Sequence, residues 1–202
     1  MCDSLAYQLI TSSNIPTSNT LAVALGANLP SVAGSPVETL RAVRPKLESL
    51  IKDWIRASRN DVLNLDQLST GLRLRWSPLF ESEPEGGPVN QPWYVNAAVI
   101  IDGPILKELS PNKELAISLL EKLLELEKQF GRDRKASSQR WGPRSLDLDL
   151  LAWGGLQVNE NGLTLPHPRL IERSFVLAPL AAAISNCGQS LKKIPPQNDW
   201  PE

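Results

Sequence analysis

The chain has little of what would commit it to several common classes. Its two cysteines, Cys2 and Cys187, sit near opposite ends without metal-ligand spacing. That excludes a dense disulfide framework, and both are expected to be reduced thiols. A single histidine, His167, excludes a multi-histidine zinc centre. Charge of one sign is also missing: 21 Lys and Arg against 22 Asp and Glu leave −1, so no overall field recruits nucleic acid or an anionic membrane. Nor does any segment approach the roughly 20 apolar residues that span a bilayer. Residues 1–19 read as a polar leader, without the basic start or apolar run of an export signal. The expectation is a cytoplasmic protein. A Walker-type glycine loop ending in Lys-Ser/Thr is absent too, so any nucleotide must be held another way.

What is present concentrates in Arg140-Trp141-Gly142-Pro143-Arg144-Ser145-Leu146-Asp147-Leu148-Asp149-Leu150-Leu151. Its second half alternates apolar and acidic residues and then turns wholly apolar, as a strand does on entering a core. Asp147 and Asp149 then share a face about 6–7 Å apart, where like charges repel and flanking leucines remove water. A divalent cation resolves that conflict, and magnesium binds through one or two carboxylates plus substrate phosphates. Arg132, Arg134, Lys135, Arg140 and Arg144 precede the pair against one acid, Asp133. Guanidinium forks match phosphate oxygens, so the layout points to phosphoryl or pyrophosphoryl transfer. An Asp-x-Asp pair alone also occurs on solvated strand faces and in sugar-nucleotide transferases.

Along the chain, residues 20–25 read as a buried strand ended by a turn at Gly26-Ala27-Asn28. A helix is expected over 35–51, with a Ser35/Glu38 capping box, Pro36 at its first position, and Pro45 kinking or dividing it. Residues 52–71 carry no single period and read as an insertion of mixed helix and loop. Leu72–Phe80 and Tyr94–Ile101 read as antiparallel strands joined by a long proline- and glycine-rich loop of the kind that lines sites. On the second strand Tyr94 and Asn96 share a face. The longest helix is expected over about 111–130, capped by Ser110 and stopped by Gly131, with Glu127 by default solvated. Short strand pieces follow at 156–165, then Pro166-His167-Pro168, where two prolines fix the backbone around the histidine. Residues 20–187 are expected to form one domain and 188–202 an irregular tail. The order β-α-β-β-α-β fits an α+β fold, a ferredoxin-like αβα sandwich with helices packed on a mainly antiparallel sheet.

With these residues in view, the chain resembles the 6-hydroxymethyl-7,8-dihydropterin pyrophosphokinases. The resemblance rests on five blocks: Ala24–Leu29, Gln91–Val99, Glu127–Arg132, the Arg-Trp-Gly-Pro-Arg-x-x-Asp-x-Asp motif, and Leu165–Arg169 through Pro179–Leu180. It implies transfer of pyrophosphate from ATP to a pterin alcohol, in a monomer, with two magnesium ions on Asp147 and Asp149. It further implies Arg132 and Arg144 at the triphosphate, Arg134, Arg140 and Trp141 on a mobile loop, and Glu127, Thr164, His167 and Arg173 at the ATP site. Tyr94 and Phe175 would sandwich the pterin while Asn96 reads its polar edge. The sequence departs from the family at Ala27, where serine is common, in a longer loop around Ser137-Ser138, and in residues 52–71. A silent nucleotide- or pterin-binding module is the reading from another class, and the intact aspartates and loop arginines argue against it.

Overall fold

The computed structural model describes residues 19–59, 71–132, 141–160, 162–170, 172–185 and 192–200. In chain order the elements are β1 (Leu21–Ala27), α1 (Pro36–Ala57), β2 (Arg73–Trp76), β3 (Phe80–Ser82), β4 (Tyr94–Asp102), α2 (Pro104–Glu108), α3 (Lys113–Gln129), β5 (Asp147–Trp153), β6 (Val158–Glu160), β7 (Leu163–Leu165), α4 (Ser174–Ser185) and β8 (Lys192–Lys193). The main sheet runs β5-β1-β4-β3-β8, with β2 also paired to β4, and all its pairings are antiparallel. β6 and β7 form a separate ribbon. The expected α+β architecture of helices on an antiparallel sheet is present.

Strand alternation divides the apolar residues between two faces. Leu21, Val23 and Leu25 of β1, Val95, Ala97 and Val99 of β4, and Leu148 and Leu150 of β5 face α1 and α3. Leu40, Val43, Leu47, Ile51, Trp54 and Ile55 come down from α1, and Ala116, Leu119, Leu123 and Leu126 from α3. Each large side chain so buried contributes roughly 1.5–3 kcal/mol. On the opposite face Ala22, Ala98, Ile100 and Leu151 meet Val176, Leu180 and Ala183 of α4.

α1 begins as its sequence requires: the Ser35 hydroxyl accepts from the Glu38 amide and the Glu38 carboxylate accepts from the Ser35 amide. Two expectations for this helix need correction. Pro45 does not divide it: the proline sits on the exposed side of a helix that continues past it, where a lost backbone hydrogen bond costs least. The helix also runs on to Ala57, so residues 52–57 are not an excursion; Trp54 and Ile55 extend the apolar stripe into the core, Trp54 edge-on to Trp153 at 5.2 Å. Residues 60–70 lie outside the described residues.

α3 starts two residues later than expected. Asn112, not Ser110, takes the cap, its side-chain oxygen accepting from the Leu115 amide at 2.9 Å. At its other end Gly131 adopts φ +85°, the left-handed conformation that stops a helix at little cost to glycine. The segment 174–185, unassigned in sequence, is helical. The described tail is irregular apart from Lys192–Lys193, which joins the sheet, and it is not loose, since Trp200 is buried. Among the described residues no helix is long and apolar enough to cross a membrane.

Candidate active site

Strand register assembles the site. On the α4 side of the sheet, Gly26 of β1 lies opposite Asn96 of β4 and opposite Asp147 of β5. One row on, Ala24 lies opposite Ala98 and Asp149. Strands are spaced about 4.8 Å apart, so Asn96 and Asp147 stand roughly 10 Å from each other across a floor of small residues. A Cβ on Gly26 would meet the Asn96 Oδ1 at 3.4 Å and the Tyr94 ring at 3.8 Å, so glycine keeps this floor low. α4 covers only part of the face, and the remainder opens as a cleft. Tyr94, Asn96, Trp141, Arg144, Asp147, Asp149, Arg173 and Phe175 all line it.

The two aspartates share a face but not an environment. Asp147 is gripped by Arg132 Nη1 on one oxygen and Arg144 Nη1 on the other. Burial opposes its charge, yet the two guanidinium groups outweigh burial and hold it below the usual carboxylate range. Asp149 makes no hydrogen bond to any described residue. Burial first, then repulsion from Asp147 and Glu127, push it up to about 7. Among the described residues the pair is thus one ion-paired carboxylate beside one without such a partner, which fits an incoming cation better than it fits a closed ion-pair network.

Glu127 is fully buried, against the solvated default. Its Oε1 accepts from the Leu148 amide at 2.8 Å and from Arg132 Nη1 at 2.8 Å, and Arg132 also donates to the Leu146 carbonyl at 3.0 Å. Glu127 therefore seats Arg132 against β5 beside Asp147. Arg144 is placed by Asn28, a buried residue whose Oδ1 accepts from the Arg144 amide at 2.7 Å while its Nδ2 donates to the Pro92 carbonyl at 3.1 Å.

Trp141 has φ +59° and closes one side of the cleft, under the Arg169 guanidinium at 4.6 Å. Gly87 backs onto it so closely that a Cβ would fall 2.3 Å from the Trp141 carbonyl oxygen. Gln91 spans the two loops, donating to the carbonyls of Gly86, Pro88 and Trp141. The Tyr94 hydroxyl reaches the Gly142 carbonyl at 3.3 Å, and burial raises its pKa.

Thr164 on β7 and His167 do not line the cleft. His167 donates its amide to the Leu151 carbonyl, and its Nδ1 accepts from the Arg169 amide at 3.3 Å. Burial and then Arg173 lower its pKa, favouring the neutral ring. Arg134 and Arg140 lie outside the described residues. Ser82, Glu83, Glu85 and Gln91 line the cleft without having been assigned roles; the loop that carries them was the only sequence signal for them. Among the described residues no three His, Cys, Asp or Glu side chains converge on a metal position.

Fold and site together define an α+β sandwich protein whose open sheet face sets paired carboxylates and arginines beside an aromatic-walled cleft. The chain belongs to the 7,8-dihydro-6-hydroxymethylpterin-pyrophosphokinase family, whose model matches residues 22–185. Similar curated proteins carry the name 2-amino-4-hydroxy-6-hydroxymethyldihydropteridine pyrophosphokinase. That of Methylorubrum extorquens is 46% identical over 98 residues, 48% of this chain and 54% of the relative. That of Synechocystis is 42% identical over 107 residues, 53% and 48% respectively. The Haemophilus influenzae protein is 36% identical over 158 residues, 78% and 77%. The chain thus spans about half the length of the first two relatives and about three quarters of the third.

Proposed function

We propose that this cleft transfers pyrophosphate from ATP to 6-hydroxymethyl-7,8-dihydropterin, giving the pterin diphosphate and AMP for folate synthesis. The observation that carries the reading is the row Asn96, Gly26, Asp147 across three strands, which sets an amide able to read a flat heterocycle beside an acid and arginine cluster able to hold polyphosphate. Tyr94 and Phe175 supply the aromatic walls and Asn96 the polar edge contact. Arg144 and Arg132, with Arg173 at the rim, supply the guanidinium groups for the triphosphate.

Two magnesium ions fit this donor set. Asp147 and Asp149 are hard oxygen ligands, Asp149 makes no hydrogen bond among the described residues, and the lack of a third converging ligand among them leaves positions for phosphate oxygens and water. When bound, such ions neutralise charge on the bridging and non-bridging phosphate oxygens. Arg132 and Arg144 hold Asp147, and would be available to the phosphates were Asp147 to hold a cation instead. The pterin hydroxymethyl oxygen attacks the β-phosphorus in line and loses its proton to solvent. The bond from that phosphorus to the α–β bridging oxygen breaks, and AMP leaves with the electron pair. No protein nucleophile takes part. Tyr94, Trp141 and Gln91 exclude water by joining the loops over the cleft.

The test is AMP formation from ATP and magnesium, with and without the pterin alcohol, in wild type and Asp149→Ala. AMP that depends on pterin and disappears in the variant is expected. ADP as product, or AMP formed regardless of pterin, would overturn the proposal.

A further inference from the structure

The segment Lys192–Trp200 lies beyond the stretch that matches the family, yet it is built into the sheet. Lys192 and Lys193 pair with Glu81 and Phe80, and the Ile194 amide donates to the Leu79 carbonyl at 2.8 Å. Trp200 is 7% exposed, stands edge-on to Trp76 at 5.1 Å, and donates its indole N–H to the Ser77 carbonyl at 2.7 Å. Asp199, at φ +59°, turns the chain so that the indole points inward. Its carboxylate meets Arg41 at 2.8 Å and its carbonyl meets Arg44 at 2.7 Å.

The carbonyls taken up, Ser77 and Leu79, belong to the short irregular link between β2 and β3. β3 is three residues long, too short for its own pattern to specify register firmly. It nevertheless carries the Ser82 hydroxyl, which accepts from Asn96 Nδ2 at 2.9 Å inside the protein. A slip of one residue would reverse its faces and withdraw Ser82 from Asn96. With β8 in place, β3 is paired on both sides instead of ending the sheet.

We propose that Lys192–Trp200 locks the register of β3, and that Trp200 is the anchoring residue which, through Ser82, positions the Asn96 amide for the heterocycle. Ser82 takes one amide N–H and so determines which way Asn96 presents its carbonyl oxygen, which lies over Gly26. Trp200 touches no substrate; it acts through β3. The effect on kinetics rests on the proposed pterin reading, whereas the lock itself does not.

Two variants test it. Trp200→Ala removes the anchor, and Ile194→Pro removes one hydrogen bond to Leu79 while leaving the Trp200 socket intact. Both are expected to accelerate hydrogen exchange at residues 79–82. Both should raise KM for the pterin alcohol about fivefold to tenfold with KM for ATP and kcat within about twofold. Trp200→Phe, which keeps a ring but not the N–H, should fall between. Unchanged exchange at 79–82 in Ile194→Pro overturns the lock. Faster exchange with KM for pterin unchanged, or with both KM values and kcat impaired alike, overturns the positioning role. Should wild type form no pterin-dependent AMP, the proposed reaction fails, and exchange alone decides the lock.

Discussion

The two faces of one sheet are built to opposite ends. Against α1 and α3, β1, β4 and β5 present Leu21, Val23, Val99 and Leu148, among the most completely buried residues in the chain. On the other face the same strands present Gly26, Asn96, Asp147 and Asp149, and α4 leaves that end uncovered. Burial on the first face is what allows the second to hold two carboxylates that repel. A domain stabilised by only 5–15 kcal/mol in total tolerates such a cost when enough apolar surface lies behind it.

Breaking the covered face should have the largest effect. Trp54→Ala removes an indole that is 1% exposed and packed edge-on against Trp153, and it should cost about 3–5 kcal/mol in urea unfolding. A loss under about 1 kcal/mol would mean that α1 is not what supports the sheet.

On the open face the direction reverses. Asp149 has its folded pKa raised to about 7, so between the unfolded value near 3.8 and about 7 the folded state retains a proton that the unfolded state releases. Wild-type stability therefore falls as pH rises through that window, and above it the ionised carboxylate is a standing cost. Asp149→Asn removes the cost. Without divalent metal at pH 8 it should melt above wild type by an amount on the order of 2 kcal/mol, narrowing towards pH 4, while AMP formation is lost. Equal melting at pH 8 would show that Asp149 already has a cationic partner and would remove the contrast between the aspartates.

The smallest effect sharpens the comparison at the cleft's margin. His167 has a lowered folded pKa, so the unfolded state binds the proton first and stability is lost as pH falls through about 6.5. His167→Gln should flatten that loss, seen as a Tm difference of about 2 °C between pH 7 and pH 5.5. An unaltered pH profile would mean that the ring's surroundings do not disfavour its charge.

Much of this was legible in the chain order of residues. Apolar runs marked β1 and β4, period-two alternation marked β5 with Asp-x-Asp on one face, and the Ser35/Glu38 spacing marked the start of α1. All three are local, because backbone geometry ties residues two or three apart to a common face or a shared hydrogen bond. Tertiary structure alone decided the rest. Glu127 reads as a helix-surface acid until β5 brings the Leu148 amide to it, and Asn28 as a turn residue until Arg144, 116 positions away, closes on its side chain. Trp200 reads as part of a loose tail until Ser77, 123 positions back, offers a carbonyl. Those roles depend on partners that only the folded sheet brings within hydrogen-bond range, and no local period encodes them. The sequence supplied the acids, the arginines and the alternation. Cross-strand register decided that one aspartate would be held by two arginines, the other left without a hydrogen bond among the described residues, and both placed a short span from an amide.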